Sequence, residues 1–351
     1  MKKILSVLLI VALLFSMAAC AGAGAKNDKF VGISMPTQDL QRWNQDGANM
    51  KEKFEAAGFK VDLQYANNEV ATQVSQIENM ISAGVKVLVI AAIDGKTLTE
   101  VLGTAKEAGI SVIAYDRLIM DTDAVNYYCT FDNYMVGTIQ GTYIKDQLKL
   151  DEGGKYNIEV TGGDPADNNA LYFYQGAIDV LQPFIDSGVL TVVSGQVKFE
   201  EVATPAWNTE TSQARMEAIL ASFYADGTQL DACLCSNDST AKGVTNALAS
   251  SYTGKYPIVT GPDCDIANTK DIIAGKQSMS IFKDTRTLAA QTVTMVSDIL
   301  AGKTPETNDS ESYNNGTGII PTFLCAPVFA DINNYKELLV DSGYYKADEL
   351  K

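Results

Sequence analysis

Asp116 and Arg117 stand together at the end of a short apolar run, Val112-Ile113-Ala114-Tyr115. A carboxylate acceptor beside a rigid five-donor guanidinium suits a small polyhydroxylated ligand, whose hydroxyls both donate and accept. One such pair alone could equally be a surface ion pair at a strand end. What separates the two readings is how many other apolar runs end in the same way. Ile33 is followed within ten residues by Arg42-Trp43, Thr161 leads into Asp167-Asn168-Asn169, and Cys235 into Ser236-Asn237-Asp238. Thr260 leads into Gly261-Pro262-Asp263, and Phe282 into Lys283-Asp284. Asn, Asp and Arg hold hydroxyls in planar, bidentate geometry, which is how a sugar is told from water. Both tryptophans of the chain, Trp43 and Trp207, are expected in such polar loops, and an aromatic ring suits the apolar face of a pyranose. Asn168 and Asn237 have a second role open to them, as caps of the helices that follow.

The elements that must position these groups read as alternating strands and helices. Residues 29–34 form a first strand, and from Trp43 to Ala57 apolar residues fall at helical spacing, with Gly58 as the stop. Strands over 60–65, 85–92 and 110–115 alternate with helices over 70–83 and 97–108. The plan then restarts with an extended segment at 127–131. Helices over 133–148, 170–184, 211–224, 239–249 and 266–274 alternate with strands over 156–161, 190–194, 230–235, 258–260 and 278–282. A helix over 285–300, a polar connection over 302–318, a last short strand and a helix over 333–340 complete the chain. The expected fold class is α/β, with two doubly wound parallel-sheet lobes. In such sheets the carboxyl ends of the strands face the ligand crevice, where the polar groups above would emerge.

With 46% hydrophobic and 20% charged residues the 351-residue chain has globular composition. Its net charge of −16 and lack of a basic stripe argue against a nucleic-acid partner. Met1-Lys2-Lys3, the apolar run from Ile4 to Phe15 and Ser16-Met17-Ala18-Ala19-Cys20 have the basic, apolar and small-residue parts of an export signal. That apolar run is short for a membrane span, which needs roughly 20 residues. The end of the signal resembles a lipoprotein lipobox, with Met17 where leucine is usual. Residues 1–19 are then expected to be a signal peptide, Cys20 the lipidated N-terminus, and 20–28 a tether to the membrane surface. Cys129, Cys233, Cys235, Cys264 and Cys325 are expected to be buried free thiols. The chain contains no histidine, so serine–histidine and cysteine–histidine catalysis are excluded.

Several motifs carry a family likeness in order from residue 29 to 350: Ser34-Met35-Pro36, Arg42-Trp43, Gln76-Ile77-Glu78-Asn79-Met80-Ile81, Tyr115-Asp116-Arg117, Gly163-Asp164-Pro165 with Asp167-Asn168-Asn169-Ala170, Ser236-Asn237-Asp238, Gly261-Pro262-Asp263 and Ile281-Phe282-Lys283-Asp284-Thr285-Arg286. The chain resembles the periplasmic monosaccharide-binding proteins of ABC importers, of the xylose-binding and multiple-monosaccharide-binding type. The resemblance implies a type I binding protein whose lobes close on one aldose and present it to permease and ATPase subunits. It implies ligand contacts at Arg42, Trp43, Asp116, Arg117, Asn169, Phe173, Trp207, Asn237, Asp263 and Lys283. It also implies three hinge crossings, near 130–132, 282–283 and 313–318, giving lobes of 29–131 plus 283–313 and 132–282 plus 314–351. Pro262 and Cys264 replace the usual glutamine and alanine beside Asp263.

Two other readings compete. In a glycoside-cleaving enzyme Asp116, Asp238 and Asp263 would converge on a sugar, but one carboxyl must stay protonated, and Arg42, Arg117 and Lys283 are expected to keep them ionised. A sugar-presenting subunit for a sensor kinase or chemoreceptor would share every residue above. A repressor of the same fold is disfavoured by the export signal and by the lack of a helix-turn-helix before Lys29. A monomer without metal or cofactor is expected. The choice among xylose, glucose and galactose stays open, since one hydroxymethyl group separates the first two.

Overall fold

A computed structural model describes residues 29–351. The expected signal peptide, Cys20 and tether lie outside the described residues. The chain opens with β1 (Phe30–Met35), α1 (Gln41–Ala56), β2 (Lys60–Tyr65), α2 (Val70–Ala83), β3 (Val87–Ile90), α3 (Thr99–Glu107), β4 (Ser111–Tyr115) and β5 (Tyr127–Phe131). Every residue of β1 and β3 is buried, as strands covered by helices on both faces must be. α2 ends at Gly84, which has φ 83°, a left-handed conformation where a Cβ would be penalised. Behind the strand ends, the buried Gln73 amide of α2 donates to Ser34 Oγ (3.1 Å) and the Ala91 carbonyl (3.0 Å) and accepts from the Ile93 N–H (2.9 Å). These bonds lock the exits of β1 and β3 together.

The second half comprises α4 (Asn133–Leu148), β6 (Tyr156–Thr161), α5 (Asn168–Asp186), β7 (Leu190–Val192), α6 (Thr209–Phe223), β8 (Ala232–Cys235), α7 (Asp238–Ser251), β9 (Ile258–Val259), α8 (Ile266–Ile273) and β10 (Met279–Phe282). α9 (Thr285–Leu300) then returns to pack on α1, and β11 (Thr322–Cys325) and β12 (Val328–Asp331) follow. One large sheet runs β11-β5-β4-β3-β1-β2 and another β7-β6-β8-β9, both all parallel, while β10 and β12 pair in a small sheet of their own. Both parallel sheets carry the doubly wound order, with the topological switch between β1 and β3 in one and between β6 and β8 in the other. α4 and α5 approach closely at glycines: a Cβ on Gly137 would lie 2.0 Å from the Phe173 carbonyl oxygen, and one on Gly176 2.1 Å from that of Tyr134.

Three expectations are corrected. Residues 314–325 do not join the second lobe: β11 pairs with β5, Thr322 opposite Tyr128 through Cys325 opposite Phe131. The chain changes sheet between Cys325 and Val328, because β12 pairs antiparallel with β10, so the third crossing lies at Ala326-Pro327 and not at 313–318. The end of the chain is two short strands, not one. The helix expected over 333–340 is a single π turn, Lys336–Asp341, with a closing 3-10 turn at Ala347–Leu350. Cys129, Cys233, Cys235, Cys264 and Cys325 are buried and unbridged.

Candidate ligand-binding site

All ten residues singled out from the sequence line one cavity, together with Leu40, Asp167, Ser239 and Asp265. The two switch points explain the convergence, since the carboxyl ends of β1, β4, β6 and β8 face each other across the gap between the sheets. Arg42 and Trp43 enter from the first turn of α1, so Trp43 sits in a helix and not in a loop. Asp116 and Arg117 follow β4. Asn169 and Phe173 lie on the first turns of α5, and Trp207 ends a short 3-10 turn. Asn237 follows β8, Asp263 β9 and Lys283 β10. Asp167, rather than Asn168, caps α5, accepting from the Asn169 N–H at 3.0 Å. Asn237 caps α7, its Oδ1 accepting from the Thr240 N–H at 2.8 Å. Its amide nitrogen has no partner among the described residues, so one side chain serves both cap and cavity.

Arg42 is the electrostatic hub. Its guanidinium donates to Asp116 Oδ2, to Asp46 Oδ2 at 3.1 Å and to Asp263 Oδ1 at 3.3 Å. Lys283 Nζ lies 2.9 Å from the same Asp263 oxygen. Arg117 Nε is 2.9 Å from Asp167 Oδ2, and its Nη1 donates to the Ala92 carbonyl at 3.0 Å. Two of these pairs, Arg42 with Asp263 and Arg117 with Asp167, bridge the two sheets' units. Burial works to raise the Asp263 pKa, but Lys283 and Arg42 outweigh it and hold the carboxyl below its ordinary value. Burial likewise opposes the charge on Arg42, and Asp116, Asp46 and Asp263 more than offset it.

Asp116 holds a conformation that few non-glycine residues adopt. Its φ is 60°, and the Arg117 N–H reaches back to the Tyr115 carbonyl at 2.6 Å, which makes a three-residue turn of the rare, strained hand. Three donors hold its carbonyl there: Tyr128 Oη at 2.5 Å, Asn169 Nδ2 at 2.8 Å and Thr130 Oγ1 at 2.9 Å. The Asn169 oxygen in turn accepts from Asn133 Nδ2 at 2.9 Å. Asn169 therefore positions Asp116 as well as lining the cavity. Trp207 at φ 56° and Asp263 at φ 111° are strained in the same sense, a clustering that marks functional sites.

Among the aromatic walls, Trp43 lies 4.9 Å from the Arg117 guanidinium and 5.5 Å from that of Arg42. Lys283 Nζ stands 5.1 Å over the Phe173 ring, and Phe173 and Trp207 pack with centroids 6.3 Å apart. The Trp207 indole nitrogen is buried without a hydrogen-bond partner among the described residues.

Three features escaped the sequence reading. Asp46, fully buried, joins Arg42 to the Tyr115 hydroxyl; its i, i+4 spacing from Arg42 was the available signal. Asp265 lines the cavity with its Oδ1 buried and unpartnered, and nothing in its neighbourhood marked it. Asp238, expected to converge on a ligand, turns away: Gln277 and Ser280 donate to its Oδ1 at 2.8 and 2.9 Å and the Asp265 N–H to its Oδ2 at 2.8 Å. Burial raises its pKa well above the ordinary value, and the expected pairing with Arg42, Arg117 or Lys283 is corrected too: among the described residues no cation bridges Asp238.

Burial also raises Asp265 to about 7, helped by Asp263 and opposed by Arg42 and Lys283, and raises Asp46 to about 6 against the pull of Arg42. Both groups hold a proton in the folded protein between about pH 4, where they ionise in the unfolded chain, and these raised values. The folded state then binds more protons, and these groups' contribution to stability falls as pH rises through that window. Unfolding followed from about pH 4.5 to 7.5 should show Asp265→Asn losing less stability over the range than the parent, by about 1–3 kcal/mol. An identical pH slope in both proteins would refute the assignment.

Residues 31–304 match the family described as periplasmic binding protein domain. The chain is 48% identical over 356 aligned residues to the multiple sugar-binding periplasmic receptor ChvE of Rhizobium radiobacter, covering all of both. It is 36% identical to the D-xylose-binding periplasmic protein of Escherichia coli, with 99% of each chain covered. The solved structure of an ABC transporter solute-binding protein from Clostridium phytofermentans with bound β-D-glucose is 66% identical and superposes with a TM-score of 0.91, covering 92% of this chain and all of that one. With two doubly wound sheets, three crossings and a polar cavity at the facing switch points, the chain belongs to the periplasmic binding protein family and has its type I fold.

Proposed function

We propose that this protein is an extracytoplasmic, lipid-anchored receptor that binds one aldose in the cavity between its two units and delivers it to an ABC importer. The observation that carries the reading is the Arg42 guanidinium, which holds Asp116 of one unit and Asp263 of the other at the wall of a single cavity. Charged planar groups fixed in that way, with Phe173 and Trp207 beside them, supply acceptors and donors for ring hydroxyls and apolar surface for a pyranose face. The likeness to proteins named for xylose, glucose and multiple sugars supports an aldose. Loops from both units reach the ligand only when they meet, so the sugar stabilises the closed form by its differential affinity. One cavity between two units of the same chain needs no second copy, which supports a monomer.

A glycoside-cleaving reading needs one protonated carboxyl and one free carboxylate across the bond. Asp265 meets the first condition. Asp263 is held through Oδ1 by both Arg42 and Lys283, and two cations on one carboxylate lower its basicity and so weaken it as a nucleophile. Binding without catalysis is therefore the better supported reading.

Calorimetric titration of residues 26–351 with glucose, galactose, xylose, arabinose and ribose should give micromolar or tighter binding of at least one, and the ranking names the physiological sugar. Absence of heat with all five would sink the aldose assignment. For the anchor, Cys20→Ala should move the protein from the membrane to the soluble fraction and abolish incorporation of labelled fatty acid. Labelling that persists in the variant would exclude Cys20 as the anchor.

A further inference from the structure

Behind the cavity wall, α1 meets the end of the chain in a cluster of hydrogen bonds that no cavity side chain joins. Gln41 Nε2 and Gln45 Nε2 donate to Tyr345 Oη at 2.8 and 3.0 Å, and Tyr345 Oη donates to the Cys264 carbonyl at 2.9 Å. Two bonds accepted and one donated use the whole capacity of a phenol. Gln41 Oε1 accepts the Ile266 N–H at 3.1 Å, and Gln45 Oε1 accepts from Tyr344 Oη at 3.1 Å.

The glutamines belong to the first unit. Tyr345 belongs to the second, packed in one apolar cluster with Cys264, Phe282, Ala330 and Leu339. The cluster therefore joins the units across the cleft without any ligand. It runs beside the Arg42–Asp263 bond, one residue before Arg42 on one side and one residue after Asp263 on the other. Asp263 and Cys264 both have positive φ, 111° and 53°, so Tyr345 also grips the strained loop that carries Asp263.

We propose that Tyr345 is an affinity-setting residue outside the cavity: with Gln41 and Gln45 it latches the two units and holds part of the ligand-free protein closed. It touches no ligand, so it scales every affinity by one factor and leaves the preference among ligands unchanged. The relation follows from mass action, because apparent affinity is intrinsic affinity multiplied by the fraction of protein in the competent form. The inference rests on the reading above, that the units open and close around a ligand.

Tyr345→Phe removes all three bonds to the phenol oxygen and keeps the ring in its cluster. Gln41→Ala with Gln45→Ala removes the same latch from the other side. In calorimetry both proteins should bind glucose, xylose and galactose about tenfold more weakly than the parent, with the ratios among sugars unchanged. Unchanged affinities, or losses that differ from sugar to sugar, would overturn the proposal. A spin label on each unit tests the latch with no ligand present. The short-distance population in the ligand-free parent should fall in both variants, and an unchanged distribution overturns the latch. If the parent binds no aldose, the functional reading fails, while the ligand-free distances still decide the latch.

Discussion

Asp116→Ala should lower the affinity for every aldose bound by at least about 100-fold, the largest loss expected from any single cavity residue. The side chain lies at the convergence of three constraints. It accepts from the Arg42 guanidinium, it lines the cavity, and its backbone occupies φ 60° under three hydrogen bonds to its carbonyl. Alanine removes a charged acceptor that would otherwise meet a ring hydroxyl, and bonds to charged groups are worth about 1.5–3 kcal/mol each. It also leaves Arg42 to Asp46 and Asp263 alone. A buried guanidinium that loses one of its carboxylates should swing toward the remaining two and leave the geometry the ligand needs. Thermal stability should fall as well, since alanine tolerates positive φ less well than aspartate. Asp116→Asn separates these effects: it keeps shape, backbone preference and one acceptor, so it should retain stability and recover part of the affinity. If Asp116→Ala binds sugar as the parent does, the cavity is not the ligand site.

Gly163→Ala should also cost more than tenfold in affinity, although Gly163 donates nothing to a ligand. A Cβ at that position would lie 2.0 Å from Trp207 Cη2 and 2.1 Å from its Cζ3, so the indole has to leave its place. Its backbone cannot follow easily, because the Trp207 N–H bonds to the Thr204 carbonyl at 3.1 Å and the Thr204 N–H to the Gly163 carbonyl at 2.9 Å. The methyl group therefore rotates the ring out of the wall it shares with Phe173. A double-mutant cycle gives the check. With Trp207→Ala in the background there is no ring to displace, and adding Gly163→Ala should change affinity little. If the two losses simply add, Gly163 acts through something other than Trp207.

The cavity was legible from the sequence to the extent that its residues follow strands. Asp116-Arg117, Asn237, Asp263 and Lys283 each stand within four residues of a strand end, and in a doubly wound sheet the place where a strand ends is also where ligands bind. The strands themselves could be read because β-branched and apolar runs bounded by polar turns are local signals. Trp43 was harder. It lies in the first turn of α1 and packs in the core with Phe54 and Leu288 while lining the cavity, and one residue that serves two surfaces shows only one of them in a periodic pattern.

Strand partnership, shared side chains and loss of water could not be read in this way. β11 is a four-residue segment whose pairing with β5 joins positions about 190 residues apart, and nothing in Thr322-Phe323-Leu324-Cys325 states which sheet it completes. Asp238 and Asp265 have the same chemistry in sequence. One is turned inward onto Gln277 and Ser280, and the other faces the cavity with an oxygen unpartnered. Tyr345 meets Gln41 across 304 residues. Residue types and spacing by themselves determined the alternation of strands and helices and the chemistry available at each strand end, because both depend on neighbours along the chain. Which carboxylates share Arg42, which have their pKa raised by burial, and where the chain crosses between its two units were decided only by tertiary packing, since burial and charge pairing depend on neighbours in space.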